Sequence, residues 1–427
     1  MTPTRRGLLG AAAASMSAPL AAPARGQGAD RLGVIGHAVH RASVSTGPGG
    51  DILGEVAAAA GWRAEWVTLG VPEIHDRLFR EASLQQGAFD LAFLLNRYVS
   101  PRIAELFLPL DGPEGVLEGM ALDDIPPGMR RPFTFNGRLY GLPFRQATSG
   151  LFLNQALLEE RGMPTAPPAT PEAFIAAVRA ATSRRDGPPV NGLVLDGPGP
   201  SQMIDLARMW DGDFLTEDLR LRVEDPAMVN ALALLKALFE EGVLPRTFPR
   251  FTTEQVTTAM QQGRAVFAIS PISRFTVLNN PGASRYPGKI AVAPVPSAPE
   301  IAARFPVAPV KSEIWALTIP RNARSRANGV RALRGIGDAQ ASLRAALNGN
   351  GPVRLSTLDD PRYAAAVPWA AVEAAALRDA RPPLPGFDNA ARAEDIFRDE
   401  VEAMLVRGTA PNETAAAIAR RVRPLLG

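Results

Sequence analysis

Residues 89–95, FDLAFLL, are apolar at every position but one. A strand of that composition has no face left for water, so it belongs inside a parallel sheet covered by helices on both sides. The segments before it supply the rest of such a sheet. Residues 32–35 form a short apolar strand ending at Gly36, residues 52–60 fit a helix, and residues 63–68 alternate as a second strand. Residues 72–85 then place Ile74, Leu78, Phe79 and Ala82 at helical spacing. Strands alternating with helices in this way predict a doubly wound α/β sheet.

The chain has 427 residues, more than one hydrophobic core usually organises, so two domains are expected. Apolar residues make up 46% and charged residues 21%, which excludes general disorder. The formal net charge of +3 falls to +1 once Arg5 and Arg6 leave with a leader that carries no acids. No block of basic residues interleaved with aromatics follows, so nucleic acid is not an expected partner. The absence of cysteine excludes disulfides, thiolate metal sites and a lipid-modified N-terminal cysteine. Only His37, His40 and His75 remain as imidazole ligands, too few for a zinc site, and no cofactor is expected.

The N-terminus sets the compartment. Arg5 and Arg6 precede a small and apolar run over residues 10–22, too short to span a bilayer, with a small-residue cleavage candidate at Ala22, Pro23 and Ala24. Residues 1–24 read as an export signal, and the arginine pair resembles a twin-arginine signal. A soluble, periplasmic, mature chain is expected. No later apolar run reaches membrane-spanning length.

Several short motifs resemble those of the extracellular solute-binding proteins of ABC importers, in the carbohydrate-type group. The most specific lies in residues 135–182: Tyr140, Gly141, Leu142 and Pro143 lead into a strand, Leu153 and Asn154 open a helix, and Pro171, Glu172 and Phe174 open another. A second runs from Phe89, Asp90 and Leu91 through Asn96, Arg97 and Tyr98 to Leu108, Pro109, Leu110 and Asp111. Weaker similarities lie in residues 253–269, 289–296, 314–320 and 348–354.

The resemblance implies a two-lobed periplasmic-binding-protein (type II) fold, each lobe a sheet flanked by helices and joined by hinge strands. It implies an N-terminal lobe from residues 31–143 plus 297–336, and a C-terminal lobe from 146–293 plus 340–427. It also implies a monomer with a small-molecule ligand, a sugar, polyol or sugar acid, and an ABC permease in the inner membrane as partner.

Ligands of open α/β sheets meet the carboxyl ends of the strands. Asn96, Arg97 and Tyr98 sit there, and one or two of these three consecutive residues are expected to face the ligand. Arg145, at the hinge crossing, suits a bidentate clamp on an anion; the plainer reading is an interlobe salt bridge. Trp315 matches a family tryptophan, with Glu313 standing where the family has glycine. Gln202, Trp210, Ser270 and His40 complete the expected ligand contacts, although Trp210 also reads as a core aromatic and the His37/His40 pair as a turn cap.

Catalytic patterns are absent from the sequence. Gly288 and Lys289 are followed by Ile290 rather than the hydroxyl a phosphate loop requires, and neither HExxH nor GxSxG occurs. The resemblance implies capture and delivery of a small carbohydrate or polyol, acidic derivatives included. The alternatives are an exported carbohydrate-active hydrolase, whose two opposed carboxylates a sequence does not reveal, and a binding protein that feeds a sensor.

Overall fold

The computed structural model describes residues 31–112, 116–183 and 189–426. The export signal expected over residues 1–24 lies outside them.

Three parallel strands, β1 (Arg31–Gly36), β2 (Arg63–Thr68) and β3 (Leu91–Leu95), open the first sheet, with β1 central between the other two. All five residues of β3 are buried, as its composition requires. The helices Ile52–Ala60 and Val71–Ala82 fall where the sequence spacing puts them, each within three residues at either end.

The organising element is β4 (Leu142–Asn154), 13 residues long and buried at all but one position. The second sheet adds β5 (Asn191–Val194), β6 (Ala265–Pro271) and β7 (Ile290–Ala293), and β8 (Ser312–Thr318) returns to the first. Residues 142–148 of β4 pair antiparallel with β8, which pairs in turn with β3. Residues 149–154 pair instead with β6 and β7. One strand thus belongs to both sheets and changes partners between Thr148 and Ser149. Asn154 ends it by accepting the Leu157 N–H on Oδ1 (3.2 Å), which caps the helix Gln155–Glu160.

The two largest hydrophobic cores among the described residues follow the two sheets. The first gathers Val34, Phe93, Leu142, Leu317 and Ile336, and the second Leu151, Phe174, Leu232, Phe267 and Phe397. These cores redraw the expected lobe limits. Ala308 and Val310 pack in the second core, so the chain returns to the first lobe at β8 rather than at residue 297. Ala341, Ala345 and Val353 pack in the first, so that lobe continues past 340. The segment 289–296 contributes β7 along the second-lobe half of β4.

Candidate functional site

Where β1 ends, His37 caps the helix Ala38–Ser45. Its Nδ1 accepts the Val39 N–H (3.3 Å), and His40 Nδ1 accepts the His37 N–H (3.1 Å). Gly36 is needed for this fit, because a Cβ there would stand 2.8 Å from the Phe93 ring. The His40 ring stacks on Phe93 (centroids 4.3 Å apart) and meets Trp315 edge-on at 4.5 Å. Its burial is complete, which holds its pKa well below the ordinary histidine value. His40, expected as a ligand contact, is therefore a neutral capping residue with no accessible surface.

The turn after β3 sends three consecutive side chains three ways, as backbone geometry demands. Asn96 is buried and its Oδ1 accepts the Ile314 N–H (2.9 Å). Tyr98 stacks on His75 at 3.9 Å with ring planes 8° apart. Arg97 reaches outward, its Nη1 lying 3.5 Å from Glu313 Oε1 and 3.7 Å from Glu394 Oε1. Burial disfavours its charge, but the two carboxylates outweigh that and raise its pKa. Glu313 stands on β8 and Glu394 on the helix Ala390–Arg407, whose Ala393, Ile396 and Phe397 belong to the second core. The Arg97–Glu394 pair therefore spans the two lobes.

Arg145 lies on β4 opposite Trp315, inside the first-lobe half of the strand. Its Nη1 donates to the Gly349 carbonyl (3.3 Å) and Asn350 Oδ1 (3.2 Å), and its Nη2 reaches Ser273 Oγ at 3.5 Å. Among the described residues it forms no ion pair, so the interlobe salt bridge admitted by the sequence is not what holds it. Burial lowers its pKa to about 10, opposed by Glu373 and reinforced by the Arg274 cation, and it stays charged at neutral pH. Glu373 is itself buried and engaged, accepting from Gln146 Nε2 (2.7 Å) and from the Tyr363 hydroxyl. Burial also lowers the pKa of His37, with Arg145 and Arg274 adding to the effect and Glu254 opposing it.

On the second-lobe side, a pocket of 340 Å³ is lined by Asp196, Gly197, Thr253, Glu254, Glu394 and Arg398, among others. Thr253 Oγ1 donates to Asp196 Oδ2 (2.7 Å). Through Glu394 this pocket adjoins Arg97, and Glu254 is near enough to act on His37. The cleft thus carries both acids and the arginines Arg274 and Arg398 on the second lobe, with Arg97 and Arg145 on two first-lobe elements.

A larger cavity of 460 Å³ opens between residues 131–135 of the first lobe and 215–218 of the second. It holds none of the residues singled out from the sequence. Its arginines are already matched with acids, Arg131 with Glu217, Arg208 with Asp213 and Arg381 with Asp211. We therefore place the candidate site at the Arg97 cleft despite the smaller volume.

The remaining expected contacts divide. Trp315 is buried and supports both His40 and the Arg145 strand. Ser270 is buried opposite Gly150 in the β4–β6 ladder, while Ser273 beyond it makes the Arg145 contact. Trp210 is half-buried and packs against the second core, the structural role the sequence also allowed it. Gln202 lies in the helix Pro200–Arg208, its side chain outside the described residues. Glu394, Arg274 and Asn350 were missed, and of these only Asn350 lay in a segment with a family-like pattern.

A strand shared by two sheets and an ion pair spanning two lobes describe a two-lobed molecule with a cleft between its lobes. A family model for bacterial extracellular solute-binding proteins matches residues 79–334, more than half of the chain. The chain belongs to that family.

Solved structures of similar fold extend the likeness beyond the matched segment of this solute-binding protein. Maltose-bound MalE3 of T. maritima superposes with a TM-score of 0.76 at 20% identity, over 93% of this chain and 100% of that one. The GacH receptor of Streptomyces glaucescens, solved unliganded and with acarbose, gives 0.78 at 18%, over 93% and 98%. UgpB from Mycobacterium tuberculosis, in complex with glycerophosphocholine, gives 0.74 at 16%, over 93% and 99%. At these identities the likeness is one of fold. Among the described residues of the solute-binding protein, no helix is long and apolar enough to cross a membrane, and no cluster of three or more acidic or histidine residues is placed to hold a metal.

Proposed function

We propose that this chain is the substrate-binding component of an ABC importer. It captures a small carbohydrate or polyol, acidic derivatives included, in the interlobe cleft and delivers it to a membrane permease. It works as a monomer in the periplasm after loss of residues 1–24. The observation that carries the reading is the sharing of β4 by both sheets, with Arg97 and Glu394 facing each other across the cleft it leaves. Contacts to a ligand from both lobes favour the closed form in proportion to their difference between the two states. A permease reads that form.

Proteins of the same fold have been solved with ribitol, D-mannitol and alpha-D-tagatose bound, which supports the ligand class. The test is a thermal-shift and calorimetric screen of purified protein against sugars, polyols and sugar acids, run beside a product assay. Saturable binding with the ligand returned unchanged supports the reading. Hydrolysis of a glycoside or ester without a thermal shift would replace it with the hydrolase.

A further inference from the structure

We propose that the ligand carries an oxyanion, a carboxylate or phosphate on a sugar or polyol frame, and that Arg145 selects it. This deepens the solute-binding reading and rests on it. The two first-lobe arginines of the cleft differ in what already holds them. Arg97 has Glu313 and Glu394 as counter-ions. Among the described residues, Arg145, only 8% exposed, touches neutral oxygens alone.

The way those oxygens are shared is informative. Nη1 is anchored by Gly349 and Asn350, and Asn350 is fixed in turn by donating from Nδ2 to the Phe144 carbonyl (2.8 Å). The opposite edge, Nε with Nη2, carries a single contact among the described residues, to Ser273 Oγ at 3.5 Å, at the outer limit of a hydrogen bond. That edge is the fork a carboxylate or phosphate takes with two parallel hydrogen bonds. Further donors stand nearby. Arg274 follows Ser273 directly, and His37 joins the cap beside His40, whose ring lies against the Trp315 partner of Arg145. The nearby acid Glu373 is occupied by Gln146 and Tyr363. A buried guanidinium without a counter-ion is the unfavourable half of a pair, and an anionic ligand completes it. Because Asn350 is tied to the first-lobe half of β4 and Ser273 follows a second-lobe strand, an anion on this edge also draws the lobes together.

The experiment is calorimetry on the mature protein with matched pairs: gluconate and sorbitol, glucuronate and glucose, glycerol 3-phosphate and glycerol. A charged member should bind about 100-fold more tightly than its neutral partner, an advantage that Arg145→Gln abolishes. Which pair responds separates carboxylate from phosphate. Arg274→Gln, a change on the half-exposed turn, should weaken the same ligand about tenfold and reduce the salt dependence of Kd. A neutral member that binds as well as its charged partner, with a Kd unmoved by Arg145→Gln, overturns the anion assignment and leaves the solute-binding reading standing. Failure of every charged member to bind also overturns the assignment, and turnover of a glycoside or ester overturns both readings.

Discussion

Nη1 of Arg97, in the turn that ends the third strand, lies 3.7 Å from Oε1 of Glu394 on a helix of the opposite lobe. Both side chains are about four-fifths buried, so the pair is screened less than a surface pair. It joins the two lobes directly across the cleft.

Glu394→Gln should therefore open the ligand-free protein. A partly buried pair contributes on the order of 1 kcal/mol, about a fivefold change in the ratio of closed to open. Small-angle scattering of the ligand-free variant should show a larger radius of gyration. Burial raises the Glu394 pKa, so its charge is lost nearer neutrality than an ordinary carboxylate, and mild acid should have the same effect on the parent protein. Identical scattering for parent and variant across that range would show that the pair does not hold the lobes.

Acid stability should carry the signature of His75. Its Nδ1–H faces the Val71 carbonyl (2.7 Å), its Nε2 accepts the Leu95 N–H (3.1 Å), and burial lowers its pKa from 6.5 to about 3. The folded state then binds fewer protons than the unfolded chain between those values, so stability falls as pH drops through that window. His75→Phe keeps the ring and loses both hydrogen bonds. It should cost about 1–3 kcal/mol at neutral pH and flatten the slope between pH 4 and 6.5. Parallel urea-unfolding curves against pH for the two proteins would contradict this assignment.

Trp210→Ala separates core from cleft. Its packing against the second core predicts a loss of about 3 kcal/mol, read as a lower Tm, with ligand Kd within about twofold of the parent. A weakened Kd at unchanged Tm would return Trp210 to the binding site.

Gly351 sets how closely the 348–354 turn approaches the shared strand. A Cβ there would stand 2.2 Å from the Gln146 carbonyl oxygen, while the Gly351 carbonyl accepts the Gln146 N–H (3.1 Å). Gly351→Ala must push the turn away and should cost about 2 kcal/mol or more in thermal or urea unfolding. The Asn350 anchor would move with it, so ligand affinity should fall as well. A stable variant with parental affinity would show that the turn relaxes freely.

What the sequence disclosed depended on whether a residue's task is local. The third strand was legible because burial on both faces leaves a continuous apolar run, and Asn154 because helix capping has a local residue preference. Arg145 could be placed on the crossing but not assigned a partner, since Gly349 and Asn350 lie some 200 residues further along the chain. Glu394 gave no signal: a glutamate within a helix reads as a solvated face until a residue from the other lobe meets it. The lobe limits were misjudged for a related reason. Ala308 and Ala341 are small apolar residues, and nothing in such a residue states which of two cores it will join. Trp210 shows the converse, an aromatic that suits a sugar face and a hydrophobic core equally well.

The change of partners between Thr148 and Ser149 also bears on how such a molecule can be taken apart. Severing the chain there would keep residues 149–154 with β6 and β7 but part β8 from both of its neighbours, β3 and residues 142–148, exposing rows of unpaired backbone amides in both fragments. Neither half is a module that can be expressed alone or grafted from a relative without carrying the whole of β4 with it. A chimera that exchanges lobes has to decide which parent supplies those 13 residues.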